Sequence, residues 1–172
     1  LKGSLGLLAE LLASGGHAMP CAGRCDDPVP VLRGDEALVG TTAGALKIRP
    51  SPLPPPPAPG VEECVFAKLR ERSGRGVRGY RDTGGYEALE RVLDGMDAEG
   101  VLSELKVSGL AGRGGAGFPT WRKWQAVREA PGAPKSIVCN ADEGEPGCFK
   151  DRALMDHDPH AVLEGMALAG FV

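Results

Sequence analysis

Residues 108–124 read SGLAGRGGAGFPTWRKW and place four glycines within six positions, 112–117. Glycine allows positive φ angles, and its bare main-chain N–H groups can approach a phosphate or a planar ring. A helix predicted to open with Thr120 as its N-cap would add the partial positive charge of its N-terminus. The stretch therefore predicts a ligand-binding loop. The alternative is a flexible surface turn. Phe118 makes this alternative less favourable, because a bulky apolar group is costly to expose on a mobile loop.

The same glycines match the G-x-G-x-x-G pattern of Rossmann dinucleotide-binding loops. Such a loop follows a buried strand, and an acidic residue stands about 20 residues further on. Here the preceding residues LSELKVSGL have helical spacing, and the region that should carry the acid is predicted as helix and proline turn. An ordinary Rossmann loop is therefore not indicated.

A second polar segment, CNADEGEPGCFKDR at residues 139–152, follows the predicted short buried strand Ser136–Cys139. Ligands of open α/β folds commonly lie beyond the carboxyl ends of strands. Carboxylates there accept hydrogen bonds from ribose hydroxyls or a ring N–H, and Asn140 offers both a donor and an acceptor. Two alternatives stay open. One is a cation site, although the D-E-G-E-P order lacks the spacing of a calcium loop; the other is a solvated turn in which Lys150 and Arg152 neutralise the acids.

Apolar spacing and capping residues predict five helices, and helices around a short buried strand predict an α/β arrangement. The predicted helices are Leu1–Leu12 with Leu5, Leu8 and Leu12 on one side; Gly85–Leu93 with Tyr86, Leu89, Val92 and Leu93 inward; a helix from the N-cap Asp97 to the stop Gly109 with Val101, Leu102 and Leu105 inward; Thr120 to about Ala130; and a helix with Asp158 as N-cap and Pro159 at its first position.

Composition limits the classes of partner. The net charge of −3 provides no basic field for nucleic acid. No apolar run reaches the roughly 18–20 residues that span a bilayer, so we expect no direct membrane insertion. The opening helix is favoured over a signal peptide, although residues 13–18 (ASGGHA) resemble a cleavage region. Five cysteines without a disulfide-scaffold spacing favour a reducing compartment.

Three segments are predicted along the chain. Residues 1–49 contain a leucine-rich helix, a cysteine pair and the short apolar stretch Val29–Leu32, while residues 50–60 (PSPLPPPPAPG) form a proline-rich linker with polyproline character. Residues 61–172 form the main body. Because the chain begins with Leu1 and ends in an apolar helical pattern, we expect it to be part of a longer protein.

Together the glycine stretch and VCNADEGEPGCFKDRALMDHDPHAVLEGM at residues 138–166 resemble one known family. It is the NADH-binding flavoprotein subunit (51 kDa-type) of respiratory complex I, with relatives in NAD-linked hydrogenases and formate dehydrogenases. The resemblance starts near Tyr80, includes GGYEAL at residues 84–89 and continues to Val172. It implies the FMN-binding α/β domain of that subunit type.

The resemblance also implies an activity and a set of binding residues. NADH passes a hydride to FMN, which hands electrons to iron–sulfur clusters, and the flavin carries the chemistry, so no catalytic side chain is assigned. Phe118 and Glu145 would face the NADH side. The residues implied to hold FMN are Gly112, Arg113, Gly114, Gly115, Gly117, Lys123, Asn140, Asp142 and Glu143.

Four positions depart from the family pattern. Ala111 replaces a frequent arginine, and Trp121 stands where a glycine usually follows F-P-T, so the turn or its packing must differ. Ala126 stands where an aromatic residue often helps to stack the adenine, which weakens the support for nucleotide binding. Cys148 replaces a common threonine or alanine and is interpreted as a tolerated small residue.

The pair Cys21 and Cys25 resembles the second half of a thioredoxin-like 2Fe–2S ferredoxin domain, so residues 1–49 are interpreted as the C-terminal part of such a domain. The two thiolates are candidate ligands of a partial 2Fe–2S site, because two more cysteines would be needed for a cluster. Two free thiols in a loop are the alternative. Cys64 and Cys139 are assigned to packing.

The resemblance implies other subunits of a multi-subunit redox complex as partners, including iron–sulfur subunits. It places the protein in the cytoplasm or peripherally on the inner membrane, and it places a 4Fe–4S cluster in a segment beyond Val172. The main hypothesis is thus an NADH dehydrogenase-type flavoprotein fragment that is inactive alone. The alternatives are a non-redox nucleotide- or metal-binding module and a structural piece of a larger complex.

Overall fold

The computed structural model describes residues 2–18, 31–33, 36–49, 52–145 and 147–172. The chain divides into two units. The first comprises Leu1–Pro54 with Asp142–Asp151, and the second comprises Pro55–Ala141 with Arg152–Val172. Residues 52–58 of the predicted linker form neither helix nor strand, as expected of a proline-rich stretch. The predicted domain bounds stay a prediction.

The first unit combines one helix with a small antiparallel sheet. Its elements are α1 (Lys2–Ala13), β1 (Val31–Arg33), β2 (Glu36–Val39), a short 3₁₀ turn (Ala43–Ala45) and β3 (Lys47–Ile48), in the sheet order β1-β2-β3. Pairing of Leu38 with Val31 and Ile48 places β2 in the middle of the sheet. Leu7 of α1 and Leu38 of β2 are buried.

The predicted N-terminal helix is confirmed, but its inward face is not the predicted one. Leu5 is 69% exposed, whereas Leu7 is 1% exposed. The carboxylate of Glu10, one turn after Leu7, accepts a hydrogen bond of 2.8 Å from the main-chain N–H of Ala43. The helix therefore turns Leu7 and Glu10 towards the 3₁₀ turn, and this contact leaves Leu8 and Leu12 exposed as well.

The second unit is helical. Its helices are α2 (Leu69–Arg72), α3 (Gly76–Asp82), α4 (Glu87–Leu93), α5 (Ala98–Ser108), α6 (Thr120–Glu129) and α8 (Pro159–Phe171), while α7 (Lys150–His157) crosses the boundary between the units. Its buried apolar residues are Leu69, Tyr80, Val92, Val101 and Leu102. Helices with a small sheet make the chain an α/β protein, and the thioredoxin-like character of its N-terminal part stays a prediction.

Capping chemistry predicted the ends of α5 correctly. The Asp97 side chain accepts a hydrogen bond of 2.8 Å from the N–H of Gly100, and Gly109 ends the helix at a φ of 66°. Both are the roles that these residue types commonly have at helix ends. Pro159 is likewise the first residue of α8.

Three details of the helix predictions are wrong. Helix α4 begins at Glu87 rather than at Gly85, and Leu93 is 68% exposed, because the last turn of α4 carries it away from the core. Pro119 is the N-cap of α6, with no side-chain hydrogen bond, so Thr120 is the first helical residue. Asp158 occupies the N-cap position of α8 as predicted, but its side chain makes no capping hydrogen bond, because its carboxylate pairs with Arg72 at 3.0 Å.

The predicted buried strand Ser136–Cys139 is also wrong. These residues form no strand, and Val138 is 82% exposed. A strand needs a neighbour for its ladder hydrogen bonds, and no strand in the described part of the chain pairs with this segment. Cys139 is therefore exposed, and Cys64 lies exposed ahead of α2, so neither thiol is packed in a core.

A buried carboxylate joins α8 to α3 and α4. Glu164 accepts hydrogen bonds from the Tyr80 hydroxyl, from the N–H of Tyr86 at 2.9 Å and from the N–H of Leu89 at 3.1 Å. Tyr86 has a φ of 67°, a left-handed conformation that is uncommon for a residue with a side chain. Its hydroxyl is 2.9 Å from Nδ1 of His160, so α8 holds Tyr86 at both its main chain and its ring.

Candidate cofactor-binding site

The glycine loop is closed at its base by main-chain hydrogen bonds. The N–H of Gly112 donates to the carbonyl of Phe118 at 2.9 Å, and the N–H of Thr120 donates to the carbonyl of Leu110 at 3.0 Å. Ala111 and Pro119 form an antiparallel bridge between them. The loop is therefore the connection of a two-helix hairpin whose ends are held together, and not an open turn.

Beyond this base the main-chain N–H groups of the loop have no hydrogen-bond partners among the described residues. The N–H groups of residues 113–117 donate to no acceptor in the described part of the chain, and all five residues are exposed. Gly115 and Gly117 have φ angles of 113° and 60°, which side chains rarely tolerate. A Cβ atom built at Gly114 would meet nothing within 4 Å. The loop thus presents unpaired donors with open space in front of them.

Aromatic and cationic side chains surround the start of α6. Phe118 is 46% exposed, and the Lys123 ammonium lies 5.9 Å from its ring centroid. Trp121 is half-buried, with the Lys106 ammonium at 5.1 Å and the Arg122 guanidinium at 5.3 Å from its ring. Bare N–H groups, a helix N-terminus and cations together favour an anionic group such as a phosphate.

In the acidic loop, Glu143 is tied to the start of α7. Its Oε1 accepts a hydrogen bond of 2.9 Å from the N–H of Asp151 and lies 3.5 Å from the Cys148 sulfur and 3.6 Å from the Lys150 ammonium. The hydrogen bond from Lys150 to Asp151 raises the pKa of the ammonium. Lys150 therefore neutralises part of the acid cluster, as the solvated-turn alternative expected.

The predicted site residues fall in two places. Gly112, Arg113, Gly114, Gly115, Gly117, Phe118 and Lys123 form one continuous region of the second unit, which also contains Asn140, while Asp142, Glu143 and Glu145 belong to the first unit. Asn140, Asp142 and Glu145 are exposed. The convergence of both regions on one ligand stays a prediction.

Sequence reasoning missed two contributors. Lys106 lies in the last turn of α5 and reaches the Trp121 ring on α6, a contact that only the pairing of the two helices reveals. Helix α7 was also missed, although KDRALMDH carries the signals of an acid in its first turn and a histidine in its last. It is α7 that gives the Glu143 carboxylate a main-chain partner.

Two further predictions concern a metal site at the cysteine pair and the absence of membrane insertion. Cys21 and Cys25 lie outside the described residues, so the partial 2Fe–2S site stays a prediction. Across the residues that the structure does describe, no group of three or more histidine, cysteine or acidic side chains is arranged to hold a metal ion. None of the described helices has the length and apolar character needed to cross a membrane.

Comparison with known proteins gives a consistent family match. Residues 105–172 match the model of the Nuo51 FMN-binding domain. The chain is 50% identical over 110 residues to an NADH-quinone oxidoreductase subunit of Rhizobium meliloti (strain 1021), covering 64% of this chain and 26% of the relative. It is 47% identical over 92 residues to an NADH-quinone oxidoreductase subunit of Aquifex aeolicus (strain VF5), covering 54% and 21%.

A third relative, an NADH-quinone oxidoreductase subunit of Rhodobacter capsulatus, is 41% identical over 108 residues, covering 62% of this chain and 25% of the relative. The chain thus spans about a quarter of the length of the curated relatives that it matches. The resemblance drawn from the glycine and acidic motifs is confirmed. Residues 105–172 are thus similar to part of the FMN-binding domain of the 51 kDa-type complex I flavoproteins.

Proposed function

We propose that residues 105–172 hold FMN in a flavoprotein that oxidises NADH within a multi-subunit redox complex. The observation that carries the proposal is the glycine loop, whose base is hydrogen-bonded and whose exposed residues 113–117 have N–H groups without an acceptor in the described part of the chain. The proposal is supported by the family match over the same residues and by three relatives that are named NADH-quinone oxidoreductase subunits.

The loop fits FMN for chemical reasons. The phosphate of FMN is an anion that accepts hydrogen bonds, and main-chain N–H groups at a helix N-terminus are its usual partners. Gly114 leaves open space for a close approach, and Lys123 of α6 supplies positive charge near the loop. An isoalloxazine ring is flat, so a surface without side chains at Gly114 and Gly115 accommodates it.

The proposal assigns the predicted site residues to contacts with FMN, to the support of the acidic loop and to contacts with NADH. Gly112, Arg113, Gly114, Gly115, Gly117 and Lys123 line the flavin and its phosphate, and Asn140 and Asp142 accept or donate hydrogen bonds at its polar edge. Glu143 contributes by holding the acidic loop against α7, because its Oε1 is already bonded to the N–H of Asp151. Phe118, which is about half exposed, stacks on NADH, and Glu145 accepts a hydrogen bond from it.

When bound, FMN supplies the acceptor for the hydride of NADH and can release electrons one at a time to iron–sulfur clusters. The protein orients the two cofactors and shields them. A partial 2Fe–2S site at Cys21 and Cys25, a 4Fe–4S cluster in a further segment, and other iron–sulfur subunits as partners all belong to this proposal. The alternative, a non-redox nucleotide- or metal-binding module, is not favoured by the named relatives.

A glycine substitution tests the proposal. Gly114 has no positive φ and open space around its Cβ position, so Gly114→Leu should leave the fold intact while its side chain blocks the approach of FMN. Losing two charge-assisted hydrogen bonds of about 1.5 kcal/mol each would weaken FMN binding by about 100-fold or more. Gly44→Leu is the matched control, since Gly44 also has open space and an ordinary φ but belongs to the first unit.

The measurement is the Kd of FMN for the 172-residue chain, from quenching of flavin fluorescence, with calcium and zinc as comparison ligands. The proposal expects saturable FMN binding that Gly114→Leu weakens by about 100-fold or more and that Gly44→Leu preserves. It is overturned if the chain retains calcium or zinc but no flavin, or if both leucine variants bind FMN as the parent chain does.

A further inference from the structure

Helices α5 and α6 form an antiparallel pair, and the glycine loop is their connection. At the far end of the pair, Glu99 in the first turn of α5 contacts Arg128 in the last turn of α6 at 2.6 Å. Both side chains are exposed, so this ion pair contributes little to holding the helices together. A contact near the loop is better placed to set the spacing of the helices at the loop end.

At that end the indole of Trp121 has a cation from each helix over its ring. Lys106, in the last turn of α5, lies 5.1 Å from the ring centroid, and Arg122, in the first turn of α6, lies 5.3 Å from it. Both distances are within the range of cation–π attraction. Only the contact with Lys106 crosses between the helices, and Trp121 is half-buried where it does so.

The geometry of the loop depends on this spacing. Leu110 and Gly112 follow directly after α5, while Phe118 and Thr120 directly precede or begin α6. The two hydrogen bonds that close the loop join these four residues, at 2.9 and 3.0 Å. If the helix ends separate by an ångström, both hydrogen bonds lengthen beyond useful range and the base of the loop opens.

We propose that Trp121 is a positioning residue for the glycine loop: through Lys106 it holds the ends of α5 and α6 at the separation that closes the loop base. The inference rests on the proposed FMN-binding role of the loop but concerns a residue outside the set assigned to that role. Trp121 acts through the loop and does not itself bind the cofactor.

Hydrogen exchange at the loop base tests this without any ligand. Each cation–π contact at an exposed site contributes a factor of about two to five, so the loss of the one contact between the helices in Trp121→Ala should speed amide exchange at Gly112 and Thr120 by about threefold to fivefold. Lys106→Met removes the same contact from the other helix and should speed exchange by a similar factor, about threefold. Trp121→Phe keeps an aromatic face and should restore exchange to within about twofold of the parent chain.

Trp124→Ala is the matched control, because Trp124 is also half-buried and lies one turn further along α6. It should leave exchange at Gly112 and Thr120 unchanged. Equal acceleration by Trp121→Ala and Trp124→Ala would overturn the inference, since any loss of an indole would then suffice. Unchanged exchange in both Trp121→Ala and Lys106→Met would overturn it as well.

A second arm separates this inference from the proposed function. The Kd of FMN should rise in Trp121→Ala by about the same factor as the exchange rate and should recover in Trp121→Phe. If the parent chain binds no FMN, the proposed function fails, while the exchange rates still decide the role of Trp121. If FMN binds and Trp121→Ala changes neither measurement, the positioning role fails and the proposed function stands.

Discussion

Replacing Glu164 by alanine should destabilise the helical unit more than alanine substitution of any other acidic residue in the described part of the chain. Glu164 is 7% exposed, and its two oxygens accept hydrogen bonds from the Tyr80 hydroxyl and from the N–H groups of Tyr86 and Leu89. Alanine removes all three acceptor contacts at once. The change also releases the left-handed Tyr86 from one of its two contacts with α8.

The magnitude follows from what each donor loses. The Tyr80 hydroxyl belongs to a residue that is only 4% exposed, so leaving it unpaired costs about 1–3 kcal/mol. The N–H groups of Tyr86 and Leu89 are half-buried at the start of α4 and can reach water, so their loss resembles that of a helix cap, about 1 kcal/mol. We therefore expect the free energy of unfolding to fall by about 3 kcal/mol.

The assay is urea unfolding followed by far-ultraviolet circular dichroism, and Glu90→Ala is the control. Glu90 is an exposed residue of α4, so its loss should change the free energy of unfolding by less than about 0.5 kcal/mol. Glu164→Gln should fall between the two, because an amide keeps one acceptor oxygen and turns an N–H group towards a donor. A Glu164→Ala value within about 1 kcal/mol of the control would refute the reasoning.

Two further predictions concern Tyr80 and Asp97. Burial, and then the hydrogen bond to Glu164, raise the pKa of the Tyr80 phenol well above its ordinary value of 10.0. Because the raised pKa means that the folded chain keeps a proton that the unfolded chain loses, the stabilisation is complete below pH 10 and is lost as the pH rises above it. The difference in free energy of unfolding between the parent chain and Tyr80→Phe should therefore shrink above pH 10, and a constant difference would contradict the assignment. Asp97→Ala removes the side-chain cap of α5 and should cost about 1 kcal/mol in the same assay, whereas Asp97→Asn should cost far less; equal losses would show that the hydrogen bond to Gly100 is not what stabilises the helix.

The helix ends were largely predictable because their signals are local. Asp97, Gly109 and Pro159 each act within one turn of their own position, and all three mark the ends of the observed helices. The glycine loop is also a local feature, because its glycines are close together in the sequence. Without side chains at these positions, the main-chain N–H groups of the loop are left uncovered. The loop at residues 112–117 and the family resemblance were therefore accessible from the order of residues alone.

The errors arose where distant residues decide. Ser136–Cys139 has the apolar composition of a buried strand, but a strand exists only with a neighbour, and none of the described strands lies beside it. Asp158 is the N-cap residue of α8 as predicted, yet Arg72, 86 residues away, takes the carboxylate that would otherwise make the capping hydrogen bond. The inward face of α1 likewise depends on the 3₁₀ turn that Glu10 contacts.

By itself the amino-acid sequence determined both ends of α5 and the start of α8, and it identified the family that the glycine and acidic motifs resemble. It did so because caps, glycine conformations and contiguous motifs act over a few residues of chain. Only the tertiary structure decided that Lys106 meets Trp121, that Glu164 joins three helices and that Glu143 is bound to the start of α7. Those contacts join residues whose spacing follows no local period, so they arise only when whole helices pack.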